Sequence, residues 1–152
     1  MQVVAYDFNM SNRTSPHVPT CPITFALDIF GDKWSLIILR DIIFKGKRNY
    51  REFLASPEKI STKILASRLK QLHAEGLISK ARDTKNQSKF VYRLTDKGKD
   101  LLPLLLELIR WSAKYNPHPG VSDSIVSGAP ARLLERLDED RDALVEEILD
   151  SL

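Results

Sequence analysis

The single cysteine of this 152-residue chain, Cys21, stands directly before a proline at the start of a predicted helix. Proline is favoured at the first helical position because an N–H there has no intrahelical partner. A thiolate at a helix N-terminus is stabilised by the helix dipole and by free N–H groups, which raises its reactivity near neutral pH. Cys21 is therefore a candidate redox-sensing residue. The alternative is a buried structural thiol, because free cysteines are among the most buried residues.

A second set of candidate residues lies on a predicted helix over 62–75. One face of this helix is apolar, with Leu65, Leu69 and Leu72. The opposite face is small, polar and basic, with Lys63, Ser67 and Lys70, preceded by Ser61 and Thr62. Donors, short side chains and no carboxylates are what a helix in the major groove of DNA requires. The alternative is an ordinary solvated face. Arg68 projects at the border of the core, where we expect a structural ion pair with Glu52 as the candidate partner.

Two short alternating runs, at 77–82 and 89–94, flank a polar segment and predict a β-hairpin. The loop would carry the candidate DNA contacts Lys85, Asn86, Gln87 and Lys89. Arg82 and Arg93 are expected to point back along the hairpin. Three further candidate phosphate contacts lie before a short predicted helix over 50–55, and they are Lys47, Arg48 and Asn49.

The elements that position these residues follow from apolar spacing and capping residues. Helices are predicted over 22–30, 33–44, 50–55, 62–75 and 96–115. A helix, a short helix, a second full helix and a basic hairpin, in this order, are typical of a winged helix-turn-helix. The predicted fold class is therefore mainly α with a small β-hairpin, completed by a long C-terminal dimerisation helix.

The net charge of +3 is divided unevenly along the chain. Residues 1–20 are polar, carry one Arg and one Asp, and are interpreted as a flexible arm. Residues 21–116 contain 19 Lys and Arg against 10 Asp and Glu, and form the predicted winged helix-turn-helix domain. Residues 117–152 contain 3 Lys and Arg against 9 Asp and Glu, and are predicted to form an acidic helical extension. This asymmetry indicates a nucleic-acid surface beside an acidic segment.

The composition and motifs of the sequence argue against several classes of protein. No apolar run reaches the roughly 18–20 residues of a membrane span, and the N-terminus lacks the order of a signal peptide, so a cytoplasmic protein without membrane contact is expected. One cysteine and three scattered histidines give no metal site, and no cofactor is predicted. No nucleophile, base and orienting group come together, so no catalytic residue and no enzymatic activity are expected.

Several sequence blocks follow one another in the order of a known protein family. Cys21-Pro22 followed by Gly31-Asp32-Lys33-Trp34 is similar to the opening of the HxlR-type bacterial transcription regulators. Gly46-Lys47-Arg48-Asn49-Tyr50 and Glu75-Gly76-Leu77-Ile78 resemble later blocks, as does Tyr92-Arg93-Leu94-Thr95 at the end of the hairpin. The resemblance covers roughly residues 21–115.

The resemblance implies a dimeric winged-helix regulator with an architecture like that of the MarR-type regulators. Its partner would be double-stranded operator DNA. It also implies a response to oxidants or electrophiles through the cysteine at position 21. A winged-helix module that binds only proteins is the alternative function, although it would not need a basic hairpin and a basic helix together.

The predicted helix over 96–115 is apolar around most of its circumference, more than one domain face can cover. We expect a partner subunit to contact Leu101, Leu104, Leu105, Leu108 and Trp111. A two-fold dimer would bind two half-sites about 10 bp apart or a multiple of that. The alternative is burial under the extension of the same chain. The extension could also widen the dimer interface or shield the basic face.

Overall fold

The computed structural model describes residues 20–115 and 132–152 of the chain. Residues 1–19 of the predicted arm at 1–20, position 116 and residues 117–131 of the predicted extension lie outside the described residues, so the predictions made for them stay predictions. The described ranges contain helices α1 (Pro22–Phe30), α2 (Lys33–Phe44), α3 (Tyr50–Leu54), α4 (Thr62–Ala74), α5 (Asp96–Lys99), α6 (Leu102–Tyr115), α7 (Leu133–Glu139) and α8 (Arg141–Asp150). They also contain strands β1 (Ile78–Arg82) and β2 (Phe90–Leu94), which lie between α4 and α5.

Helices α2, α3 and α4 each begin at a residue whose side chain accepts hydrogen bonds from free N–H groups of the first turn. Asp32 Oδ1 accepts the N–H groups of Trp34 and Ser35, both at 3.0 Å, at the start of α2. Asn49 and Ser61 act in the same way at the starts of α3 and α4. Because such caps satisfy donors that a helix leaves unpaired, they fix where each helix begins. The predicted starts of these three helices are confirmed.

Strands β1 and β2 form an antiparallel hairpin in which Ile78 pairs with Leu94 and Arg82 pairs with Phe90. The predicted hairpin is thus confirmed. The N–H of Tyr92 also donates to the carbonyl oxygen of Arg48 at 2.7 Å. This hydrogen bond ties the turn before α3 to the outer edge of β2.

The prediction of one helix over 96–115 is wrong at its start. Helix α5 ends at Lys99, and α6 begins at Leu102. Pro103 causes the break, because its ring lacks an N–H and clashes with the carbonyl four residues earlier, here that of Lys99. Proline is tolerated in the first turn of a helix, and Pro103 lies in the first turn of α6.

The hydrophobic core lies where α4 packs against α1, α2 and α3, with α6 against α2. Its fully buried side chains include Leu39, Leu65, Leu72, Leu102 and Leu106. Gly98 closes the junction between α5 and the start of β1. A Cβ at Gly98 would collide with the carbonyl oxygen of Leu77, so no other residue fits there without backbone movement.

The part of the extension that the structure describes contains helices α7 and α8, and it packs on its own chain. Four apolar side chains of α7 and α8 join the core cluster, and they are Leu133, Leu137, Leu144 and Ile148. At the surface, Arg110 of α6 pairs with Asp138 at 2.9 Å, and Arg141 lies 4.0 Å from Glu107. The extension therefore covers part of the leucine-rich helix α6 within one protomer.

Candidate nucleic-acid interface

Helix α4 presents two chemically different faces. Leu65, Leu69 and Leu72 are buried. The outer face exposes Thr62, Lys63, Ala66, Ser67 and Lys70, and no acidic residue lies between positions 61 and 70. The structure thus brings the candidate residues of this helix onto one exposed surface.

Helix α4 is held at both ends of its first two turns, at Thr62 and at Arg68. The Tyr50 hydroxyl donates to the carbonyl oxygen of Thr62 at 2.9 Å, which fixes α3 against the start of α4. Arg68 lies 3.5 Å from Asp32 Oδ1. The expected ion pair of Arg68 is therefore present, but the predicted partner Glu52 is wrong. Glu52 instead completes the capping box of α3, because it lies one turn along that helix.

The hairpin loop displays the second group of candidates. Lys85, Asn86, Gln87 and Lys89 are all exposed. Asp83 shapes the loop, since its Oδ1 accepts the N–H of Lys85 at 2.7 Å and that of Asn86 at 3.2 Å. These two hydrogen bonds, helped by the nearby lysine charges, lower the pKa of Asp83. The Asp83 carboxylate thus binds the backbone of the loop, whereas the basic side chains of the loop remain exposed.

Two basic side chains of the hairpin strands contact one aromatic ring, an arrangement that the sequence did not predict. Lys80 Nζ and Arg82 Cζ lie 4.0 Å and 4.4 Å from the ring centre of Phe90. Arg82 also donates to the carbonyl oxygen of Gln87 at 2.7 Å. Cation–π contact and this hydrogen bond hold Arg82 against the hairpin, where it supports the loop.

The three candidates before α3 are engaged within the protein. Lys47 Nζ donates to Asp41 Oδ2 at 2.8 Å and to Ser56 Oγ at 2.6 Å. Arg48 donates to the carbonyl oxygens of Ile42 and Lys47. The Asn49 side chain caps α3. These contacts engage donors of Lys47 and Arg48 and the side-chain oxygen of Asn49, so we leave all three residues out of the proposed DNA contacts below.

The sequence also missed one exposed cation beside the candidate surface. Lys59 is exposed, has a positive φ of 56°, and precedes Ser61, the cap of α4, by two residues. Only its position near Ser61 could have indicated a role, because nothing in its local sequence distinguishes it from other surface lysines.

Cys21 is exposed and immediately precedes α1. The alternative of a buried structural thiol is therefore wrong for the protomer. Its sulfur makes no cap hydrogen bond. The neighbouring backbone N–H and hydroxyl of Thr24, followed by the N–H of Ile23, nevertheless lower the pKa of the Cys21 thiol. The thiolate is thus favoured at this position, as the predicted helix start implies.

The expected dimerisation residues divide into two groups. Leu104, Leu108 and Trp111 are exposed, with 65% of Trp111 accessible. Leu105 is only 5% exposed and lies in the core of its own protomer, so it has no surface for a partner subunit. Leu101 is half-buried against the same core. Helix α1 adds exposed apolar side chains that the sequence analysis did not select, Ile23 and Leu27.

Residues 29–119 match the HxlR-like helix-turn-helix family, which is more than half of the chain. The chain belongs to this family. It is therefore a winged-helix transcription regulator with DNA as its partner, and not an enzyme. The resemblance found in the sequence is confirmed.

Curated relatives carry the same description. The chain is 30% identical over 108 residues to the uncharacterised HTH-type transcriptional regulator sll1512 of Synechocystis sp., covering 71% of this chain and 79% of the relative. It is 35% identical over 95 residues to the uncharacterised HTH-type transcriptional regulator YdeP of Bacillus subtilis, covering 62% and 73%. In both cases the aligned residues make up most of the relative's own length.

Solved structures extend this similarity to the fold. PA1607, described as a putative transcription factor, is 38% identical with a TM-score of 0.60, covering 66% of this chain and 68% of PA1607. The redox regulator HypR in its oxidised form is 30% identical with a TM-score of 0.56, covering 64% of this chain and all of HypR. The reduced transcriptional regulator YodB of B. subtilis is 25% identical with a TM-score of 0.52, covering 65% and 97%.

No helix among the described residues has the length and apolar character to cross a bilayer. Within 20–115 and 132–152, no three His, Cys, Asp or Glu side chains come together as metal ligands.

Proposed function

We propose that the protein is a homodimeric, sequence-specific regulator in which α4 enters the major groove and the hairpin loop contacts the flanking DNA backbone. The acid-free outer face of α4, with its basic and hydroxyl side chains beside the basic loop, carries this proposal. A protein-binding surface would not need both elements to be basic.

The candidate residues would make two kinds of contact with DNA, to base edges and to phosphates. Lys63, Ser67 and Lys70 have the donors that contact base edges in the major groove. Ser61 and Thr62 lie at the N-terminus of α4, where free N–H groups favour a phosphate. The loop residues would contact phosphates on either side, and they are Lys85, Asn86, Gln87 and Lys89. Base contacts would set specificity, and phosphate contacts would set position and salt dependence.

Dimerisation would cover the exposed apolar surface of α6. Leu104, Leu108 and Trp111 form a set of large exposed apolar side chains that solvent disfavours. Burial against a second copy of the chain would place two α4 helices on DNA related by two-fold symmetry. The operator would then contain two half-sites about 10 bp apart or a multiple of that.

We further propose that Cys21 senses oxidants or electrophiles. The exposed thiol, its lowered pKa and the similarity to HypR, a redox regulator, support this role. With one cysteine per chain, oxidation would join two Cys21 thiols from two subunits, or one Cys21 to a small thiol. Each thiol loses a proton and one electron to the oxidant as the S–S bond forms. An electrophile would instead form a thioether adduct.

Selection of DNA from a random duplex library by the purified protein tests this function. We expect an enriched two-fold repeat whose binding weakens with salt and changes after treatment with diamide. No enrichment, together with DNA binding that is absent at low salt, would favour the protein-binding alternative.

A further inference from the structure

A small recess lies at the base of the hairpin, where five parts of the fold meet. Its volume is about 120 Å³, and its walls are Ile42, Arg48, Arg93, Leu94, Lys99 and Leu152. These residues come from α2, the turn before α3, β2, α5 and the end of the extension. Three cationic side chains therefore meet an apolar surface formed by Ile42, Leu94 and Leu152. We call this recess the hairpin-base pocket.

Among the described residues, the cations of the hairpin-base pocket form a single ion pair, between Lys99 and Asp96. Arg48 uses Nη1 on two peptide carbonyls, and within the described ranges its Nε and Nη2 donate to no acceptor. The guanidinium of Arg93 has no ion pair or hydrogen bond with any described residue. Lys99 has one acidic contact, at 3.8 Å from Asp96, whose own side chain is fully exposed. The pocket thus gathers more donors than the protein satisfies.

Gathering these cations costs free energy when no anion is present. Burial, followed by repulsion from Arg93, lowers the pKa of Arg48, and Glu52 offsets this only in part. Like charges held together disfavour one another unless an opposite charge lies between them. An anion between Arg48, Arg93 and Lys99 would remove this repulsion and accept the free N–H groups.

We propose that the hairpin-base pocket binds a small organic anion, a carboxylate with a short aliphatic part. The carboxylate would accept hydrogen bonds from the guanidinium groups of Arg48 and Arg93, which suit its two oxygens, and would lie near Lys99. The aliphatic part would contact Ile42, Leu94 and Leu152. A volume of about 120 Å³ is somewhat below the roughly 150 Å³ of an engineered cavity that holds benzene, so a ligand of a few carbons fits.

The position of the pocket favours a free anion over a DNA phosphate. Arg93 and Leu94 are at the end of β2 opposite the loop, and Leu94 lies four positions beyond Phe90 along extended chain. At about 3.3 Å per residue, the pocket lies roughly 13 Å along the hairpin from the loop that carries Lys85 and Lys89. Arg48 and Leu94 are also half-buried, and Ile42 is buried, so the pocket is recessed.

The pocket joins the hairpin to the extension, since Arg93 belongs to β2 and Leu152 follows α8. A ligand in contact with both would stabilise the docked extension. The inference does not rest on the proposed function, because the binding of an anion can be measured without DNA.

Titration of the full chain, labelled with ¹⁵N, tests the proposal by NMR. Three test ligands are compared: butyrate, its neutral analogue butyramide, and inorganic phosphate, which has no aliphatic part. We expect butyrate to saturate with a Kd on the order of 1 mM, a reasonable value for six heavy atoms. The largest shifts should occur at the amides of Arg93, Leu94 and Leu152. Butyramide and phosphate should each bind at least tenfold more weakly.

Arg93→Gln and Lys99→Gln should each weaken butyrate binding at least tenfold. Arg51→Gln is the matched control, because Arg51 is exposed, lies outside the pocket and changes the net charge equally. Equal binding of butyrate and butyramide, or equal losses in the control, would overturn the proposal. So would a reduction of about one in the slope of DNA affinity against salt for Arg93→Gln, since Arg93 would then contact a DNA phosphate.

Discussion

Asp41 shows how a single buried charge decides the roles of its neighbours. Its side chain is 1% exposed, and burial by itself would raise its pKa. Hydrogen bonds from Lys47, Ser56 and Arg40 outweigh burial and lower the pKa of Asp41. Lys47 is therefore required inside the protein, although its sequence neighbourhood resembles a phosphate-binding turn.

Replacing this buried carboxylate should destabilise the fold. Asp41→Asn would leave Lys47 and Arg40 without their partner, at a cost of about 3 kcal/mol, as is typical of a broken buried ion pair. Urea denaturation followed by circular dichroism measures the free energy of unfolding. Asp28→Asn, which changes an exposed acid of α1, serves as the control. Similar losses in the two variants would contradict the role of Asp41.

The same residue predicts a pH dependence of stability. Because the folded-state pKa of Asp41 is depressed, its contribution is fully present above the unfolded pKa of about 3.9 and is lost as the pH falls through the folded value. The wild type should therefore lose stability more steeply than Asp41→Asn below about pH 4.

Two kinds of DNA contact should be separable by single substitutions. Lys63→Ala and Lys70→Ala should each weaken binding to a selected operator by about 1–3 kcal/mol and relax specificity, because they remove base contacts. Lys85→Ala should weaken binding to all DNA sequences alike. It should also reduce the slope of log affinity against log salt concentration by about one. Fluorescence anisotropy at several salt concentrations distinguishes the two results. Arg141→Ala, which removes an exposed charge from the extension, should change neither.

Cys21→Ser tests redox sensing with little change in size. The serine variant should bind DNA as the wild type does but should lose sensitivity to diamide and quinones, because serine forms neither disulfides nor thiol adducts under these conditions. Non-reducing electrophoresis and mass spectrometry show whether the wild type forms a joined dimer or a mixed disulfide. Unchanged sensitivity of the variant would remove the proposed role of Cys21.

At the scale of the elements, the helix starts and the hairpin could be predicted because their signals are local. Asp32, Asn49 and Ser61 each act within three residues of their own position. The break before α6 was also available in the sequence, at Pro103. The partners of Lys47 and Arg68 could not be predicted, because they depend on which helices meet in space. The hairpin-base pocket has the same origin, since its residues are spread from position 42 to 152.

Buried leucines of the extension pack into the hydrophobic core, so the extension contributes to the stability of the fold. Leu144 is fully buried, whereas Leu134 is 36% exposed on the same pair of helices. Leu144→Ala should therefore lower the free energy of unfolding by about 2–4 kcal/mol, and Leu134→Ala by less than about 1 kcal/mol. Urea denaturation gives both values. Equal small effects would mean that the extension packs only loosely on the core.

At the scale of the whole molecule, charge and apolar surface lie on different elements. The basic candidates lie on α4 and the hairpin, whereas most of the large exposed apolar side chains lie on α1 and α6. This separation allows one surface to contact DNA while another joins two subunits. The extension adds acidic groups, several of which are paired with arginines of its own chain, including Asp138 and Glu147.

Dimerisation should depend on the exposed side chains of α6. The double variant Leu108→Ser/Trp111→Ala should shift the protein toward monomer and weaken operator binding, because two half-sites would no longer be contacted together. Analytical ultracentrifugation measures the assembly. Leu134→Ala, on the extension, should leave it unchanged. A double variant that stays dimeric would place the interface elsewhere.

The crowding at Gly98 has a consequence for how this sequence can drift over evolutionary time. Gly46 and Gly76 have positive φ values of 62° and 72° but open space around them, so asparagine can replace them at modest cost. At Gly98 the obstacle is the backbone of Leu77, which no change of neighbouring side chain can move aside. Position 98 should therefore stay glycine among descendants that keep this junction, whatever DNA sequence or ligand they come to bind.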